Sequence, residues 1–160
     1  MEDDVAKLEP DVRLRYHAKT ACIGCDPYSL DKSGFSSDWK TFPDVEYPDI
    51  YNYLINRVSS YTHEQLRSYK SLEAYRLFHD GYVRDVEHKT INGLAVVRSK
   101  VMHSMRVNEK PVLVWLISNA SGEINTAHCT CMAGLGESCS HVGATLFFME
   151  TATKYARTQP

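Results

Sequence analysis

The sequence has no apolar run approaching the 18 residues that a membrane-spanning helix needs, so no spanning segment is expected. Its first residues, Met1-Glu-Asp-Asp-Val, are acidic and lack the apolar stretch of a secretion signal, which sets the expectation of an intracellular protein. Internal repeats and low-complexity tracts are missing, which excludes solenoids and biased linkers. A basic tail is missing too: 18 Lys and Arg face 20 Asp and Glu, for a formal net charge of −2. Composition alone therefore builds in no strong attraction to a polyanion. No acid/base pair or nucleophile signature stands out, and residues 1–60 contain no metal-dependent nuclease motif. Cysteines number five, an odd count that would leave one thiol over if they were paired as disulfides.

What is present is an ordinary globular composition, 43% hydrophobic and 24% charged, in 160 residues. That size fits one domain with appendages, or two very small ones. Charge is distributed unevenly. Residues 1–50 carry 11 acidic and 6 basic side chains, whereas residues 64–110 carry 9 basic and 6 acidic, a local excess of +3. The middle of the chain is mildly cationic, which gives weak support to a polyanionic partner.

Residues 1–60 are punctuated by Pro and Asp. Pro10 can open a short helix over 11–20, residues 26–49 have loop composition, and Pro48 can start a second short helix over 49–56. Tyr47, Ile50, Tyr51, Tyr53, Leu54 and Ile55 are too apolar for a disordered stretch and must pack on something. Thr62 and Gln65 fit a capping box, which predicts a helix over 62–80 with Gly81 as its stop. The period then changes. Residues 82–89, 94–106, 112–118 and 123–131 are rich in Val, Ile and Thr, and Asn92-Gly93 is the strongest hairpin signal in the chain. Three or four antiparallel strands in a meander follow, then a last helix over 140–157. The expected class is α+β: a small antiparallel sheet flanked by helices, ending in a ββα-type zinc finger. Residues 1–60 form an N-terminal segment, 61–157 the α+β domain, and about 112–150 the finger.

Cys129-Thr-Cys131, seven residues, then Cys139-Ser-His141 is a Cys₃His set, a common closed donor set for one structural zinc ion. In a strand, residues i and i+2 face the same side, so Cys129 and Cys131 can aim at one ion from the end of the last strand. Gly134 and Gly136 let the intervening loop double back, and Ser138 or Ser140 can cap the helix that follows. Cys139 and His141 then sit at a helix N-terminus, where the dipole favours thiolate. Four protein ligands leave no open position for catalysis, so the zinc is expected to be structural, at one ion per chain.

The run C-T-C-M-A-G-L-G-E-S-C-S-H resembles the SWIM-type zinc finger, Cys-x-Cys, a spacer, then Cys-x-His. The surrounding residues, from Tyr69-Lys-Ser-Leu-Glu-Ala-Tyr75 through Asn108-Glu-Lys-Pro111 to His141-Val-Gly-Ala144, resemble a metazoan subgroup. In that subgroup the finger precedes a YqaJ-like viral-recombinase nuclease domain. The resemblance implies a zinc unit used to bind DNA or protein. With the sequence ending at Pro160, no nuclease domain is expected here and the chain is expected not to be an enzyme. Its partner is expected to be nucleic acid, DNA first, or alternatively a protein beside a catalytic domain; a membrane or small-molecule substrate is not expected. A DNA partner would imply the nucleus.

Other residues have two readings each. Arg98, Lys100 and Arg106 share one parity of the 94–106 strand, and Lys110 extends the set; they are either phosphate contacts or a solvated sheet face. Trp115 can stack on a base but is better read as core. His128 falls on the strand parity that points away from the metal. Cys22-Ile-Gly-Cys25 is either half of a second metal or redox site or two ordinary thiols, the latter favoured.

Overall fold

The computed structural model describes residues 9–57, 61–68, 72–102, 110–132 and 139–158. It is α+β, with one four-stranded antiparallel sheet in the order β1-β2-β3-β4. The strands are β1 (Val83–Ile91), β2 (Leu94–Val101), β3 (Val112–Ser118) and β4 (Ile124–Cys129). Among the described residues five α-helices accompany them: α1 (Pro10–Thr20), α2 (Tyr47–Tyr51), α3 (His63–Arg67), α4 (Glu73–His79) and α5 (Ser140–Thr158). Among the described residues no helix is long and apolar enough to cross a membrane.

Local chemistry explains most boundaries. The Thr62 side chain accepts from the Gln65 amide at 3.1 Å, and the Thr62 amide donates in turn to Gln65 Oε1 at 2.8 Å. The predicted helix over 62–80 is nevertheless two pieces, because Ser68 leaves helical geometry at φ −103° and ψ 38°. α4 ends as expected. Gly81 sits at φ 82°, its amide bonds to Phe78 O, and the Tyr82 amide reaches back to Leu77 O, the pair of bonds that closes a Schellman motif. Asn92 and Gly93, at φ 53° and 77°, close the β1–β2 hairpin between the pair Ile91 and Leu94. Residues 52–57 continue α2 as a π-helix.

The sheet is the middle layer. On one face, Val97, Val101, Val112, Val114, Leu116 and Cys129 join Val142, Leu146, Phe147 and Met149 of α5 in a single core. Phe42, Val45, Ile50, Tyr53 and Leu54 belong to the same cluster, so the N-terminal segment completes the core of the residues after 60. α5 is pinned across the layer by Thr145, whose hydroxyl meets Ser99 Oγ at 2.8 Å and His141 O at 3.1 Å. The opposite face packs Val96, Trp115 and Ile117 against Tyr16 and Ile23. There the Trp115 indole donates to Tyr16 Oη at 3.1 Å, and Tyr16 donates to Asp26 at 2.5 Å. Trp115 is fully buried, which removes it as a stacking platform for bases.

Candidate metal centre

The site forms where β4 meets α5. Cys129 is the last residue of β4 and is buried in the main core. The chain does not continue as strand. Residues Thr130–Met132 turn into a 3₁₀ helix, so Cys131 reaches the site from a turn and not by strand parity as the sequence suggested. The turn is fixed by two bonds: the Leu113 amide donates to Thr130 Oγ1 at 3.1 Å, and the Cys131 amide donates to Cys129 Sγ at 3.4 Å. The second bond places an N–H dipole on the sulfur and favours its thiolate.

Cys139 caps α5. Its carbonyl accepts the Gly143 amide at 3.0 Å and its sulfur accepts from the Val142 amide. The cap was expected from Ser138 or Ser140; Ser140 is instead the first residue of the helix, and Ser138 lies outside the described residues. One helical turn start thus supplies both Cys139 and His141. His141 Nδ1 lies 3.7 Å from Cys129 Sγ and 3.7 Å from Cys139 Sγ. One donor atom from each of Cys129, Cys131, Cys139 and His141 falls within 4.8 Å of all the others. A tetrahedron with metal–donor bonds of about 2.0–2.3 Å has edges of roughly 3.3–3.8 Å, so the two 3.7 Å edges already fit and small movements close the rest. The four residues are close enough to hold one metal ion.

The electrostatics of the cluster make the same point. Cys139 is pulled down to about 4 by the hydrogen bond from the Cys129 thiol, with His141 and the Val142 amide adding to it. Cys129 is pushed up, first by that same bond to Cys139 and then by burial, and burial pushes Cys131 up to about 11. The protein alone thus concentrates one negative charge on Cys139 and resists a second and third. A cation at the centre removes that resistance by compensating the charge.

His128 points away from the metal, as strand parity requires. Its ring stacks on Trp115 at 5.7 Å, and its Nδ1 lies 2.9 Å from the Tyr28 hydroxyl. Tyr28 donates its one proton to Leu113 O at 2.9 Å, so the His128 bond runs from Nδ1–H to Tyr28. Cys22 is exposed and Cys25 half-buried, and their thiols donate to Lys19 O and Ile23 O. Among the described residues they join no cluster of possible metal ligands.

The cationic strand face needs correction. Arg98 is not presented to a partner: its Nε and Nη2 donate to Glu87 Oε1 at 3.0 and 2.6 Å. Its Nη1 donates to Pro27 O and Leu30 O, and the guanidinium lies 3.8 Å from the centre of the Phe35 ring. Counting back from the Asn92-Gly93 turn, the hairpin register sets Arg98 opposite Glu87; that signal was available in the sequence and was missed. Lys100 is exposed with Asp85 3.7 Å away, Lys110 is exposed, and Arg106 lies outside the described residues. Arg98→Ala is expected to lower the unfolding free energy in urea by about 2–3 kcal/mol, because Glu87 would be left unpaired with its side chain only 13% exposed. Lys100→Ala, in the same assay, is expected to stay within about 0.5 kcal/mol. Equal losses would mean that Arg98 has no special structural part.

No family model matches this chain, and neither the curated proteins nor the solved structures give a match.

Proposed function

We propose that this chain is a zinc-held recognition module of SWIM type in which the ion serves the fold and not catalysis. The carrying observation is the closed donor set: three sulfurs and one imidazole nitrogen within 4.8 Å, supplied by β4, the turn after it and the first turn of α5. Three thiolates and a histidine are soft and borderline donors of the kind zinc takes in structural sites, and they fill its four positions. Metal analysis of the purified chain should give close to one zinc per molecule.

A protein partner, positioned beside a neighbouring catalytic domain, is the partner reading we hold. It is supported by how the cations are used: Arg98 is consumed by Glu87 and two carbonyls, and Lys100 stands beside Asp85. Nucleic acid, DNA first, is the second reading. Lys100 and Lys110 favour it, since both are exposed and they flank the stretch that contains Arg106.

Salt separates the two readings. A nucleic-acid partner should lose affinity with a slope of about 0.9 in log–log form per phosphate neutralised, and Lys100→Ala or Lys110→Ala should reduce that slope. Fluorescence anisotropy with labelled duplex and single-stranded DNA reads it directly. No binding to either, at low salt and with zinc loaded, leaves the protein reading standing; a steep slope removes it.

A further inference from the structure

The three sulfurs of the metal centre are not equivalent. Cys129 is the last residue of β4, stands opposite Val114 in the ladder and is fully buried. Its sulfur also accepts the Cys131 amide at 3.4 Å, so backbone and side chain are both fixed. Cys131 and Cys139 differ on both counts. Each is only partly buried, Cys131 in the 3₁₀ turn beyond the sheet and Cys139 immediately before α5. Their Sγ atoms nevertheless lie within 4.8 Å of each other. The two sulfurs that solvent reaches therefore come one from each side of the junction, eight positions apart in sequence.

This placement has a chemical consequence. A metal holds its cysteines as thiolates, the form that attacks a peroxide, and among thiolates the exposed ones react. The fold also keeps the pair together without the ion's help. α5 is tied to the sheet through Thr145 and Ser99 and through Leu146, Phe147 and Met149 in the core. The two sulfurs thus stay near one another while one of them is being oxidised.

We propose that Cys131 and Cys139 are a peroxide-responsive site: oxidation joins them in a disulfide and releases the ion, and a dithiol reductant restores the centre. This rests on the zinc reading above and adds a regulation of the same site. One thiolate displaces hydroxide from hydrogen peroxide and becomes a sulfenic acid. The other attacks that sulfur and expels a second hydroxide. The two sulfurs together lose two electrons, the O–O bond gains them, and the hydroxides leave as water after taking two protons from the buffer. Cys129 and His141 remain, two donors where zinc needs four. The new bond spans the same two elements that the ion spans, so a covalent staple takes over from the metal one. A dithiol reverses the step by exchange, returning both thiols and ending as a disulfide itself.

The test uses the full chain with Cys22→Ser and Cys25→Ser, which leaves the three cluster cysteines as its only thiols. Zinc is counted first. Hydrogen peroxide in excess should then release close to one zinc per chain, read with a chromophoric chelator. Non-reducing peptide mapping should find Cys131 joined to Cys139 and Cys129 free to alkylate, and the wild-type chain mapped alongside should show the same bond. Dithiothreitol followed by fresh zinc should restore the metal. The oxidised chain should melt about 5 °C or more above the reduced chain stripped of metal, because the closed loop constrains the unfolded state. A chain that holds no zinc at the outset overturns the metal reading and this proposal with it. A zinc-loaded chain that keeps its ion under peroxide overturns the proposal alone. So does a disulfide that involves Cys129 or links two chains, a failure to recover with dithiothreitol, or an oxidised chain that melts no higher than the reduced metal-free one.

Discussion

Cys139→Ala, or exhaustive chelation of the wild-type chain, is expected to lower the melting temperature by at least about 10 °C and to abolish metal binding. A structural zinc contributes on the order of 10 kcal/mol to the folding of small zinc units, against a total stability of about 5–15 kcal/mol for a domain. In a chain of this length 1 kcal/mol moves the midpoint by about 2–4 °C, so about half of the zinc contribution suffices. The geometry says where the loss falls. Cys139 holds the end of β4 to α5 and also caps the helix through its sulfur. Removing it deletes a ligand and a cap together.

The loss should be regional at first. α5 keeps its buried face, with Leu146, Phe147 and Met149 in a core that includes the sheet and residues 42–54. Amide exchange should therefore accelerate first over 129–132 and 139–145, and only near the midpoint over β2 and β3. Cys22→Ser is the matched control, since Cys22 is exposed and outside the cluster. A Cys139→Ala protein that melts like the wild type would remove the metal from any structural part. A Cys22→Ser protein that loses zinc would show that the ligand set is wrong.

Legibility followed locality. The capping box at Thr62 and Gln65, the stop at Gly81 and the Asn92-Gly93 turn each act over three to five residues, and each stands in the structure as the sequence implied. The cluster of Cys129, Cys131, Cys139 and His141 was legible for the same reason, because all four residues fall in thirteen positions. What was missed depends on contacts across the fold. Nothing near Ser68 announces a break, yet the helix divides there. Cys131 looked like a strand residue because Cys-x-Cys matches strand parity, but an amide-to-sulfur bond turns the backbone one residue earlier. Arg98 looked like a surface cation because its partners Pro27 and Leu30 lie about seventy positions away. The network of Tyr16, Asp26, Tyr28 and His128 has the same character, joining positions up to 100 residues apart that no local pattern connects.

Gly122→Ala should be the costliest single methyl in the molecule among the described glycines, and it should leave the metal in place. Gly122 lies in the β3–β4 turn at φ 104°, where a Cβ would stand 2.0 Å from Asp44 O and 2.7 Å from its carbonyl carbon. Both are backbone atoms, held by the bond from the Asp44 amide to Ala120 O and by Thr153 donating to Pro43 O, so the obstacle cannot swing aside. Strain and overpacking each cost about 1–3 kcal/mol, which puts the sum at roughly 3 kcal/mol or more and the fall in melting temperature at about 6–12 °C. Gly93→Ala separates the two contributions. Gly93 is also left-handed, at φ 77°, but a Cβ there meets nothing within 4 Å, so it should cost only the conformational part, about 1 kcal/mol. The candidate metal site is at the far end of β4, seven positions or about 23 Å of strand away, so Gly122→Ala should retain one metal ion per chain. Equal destabilisation by the two substitutions would mean that the loop carrying Asp44 yields readily. Loss of zinc from Gly122→Ala would mean that the staple depends on the packing of residues 42–54, and is not a self-contained junction of β4 and α5.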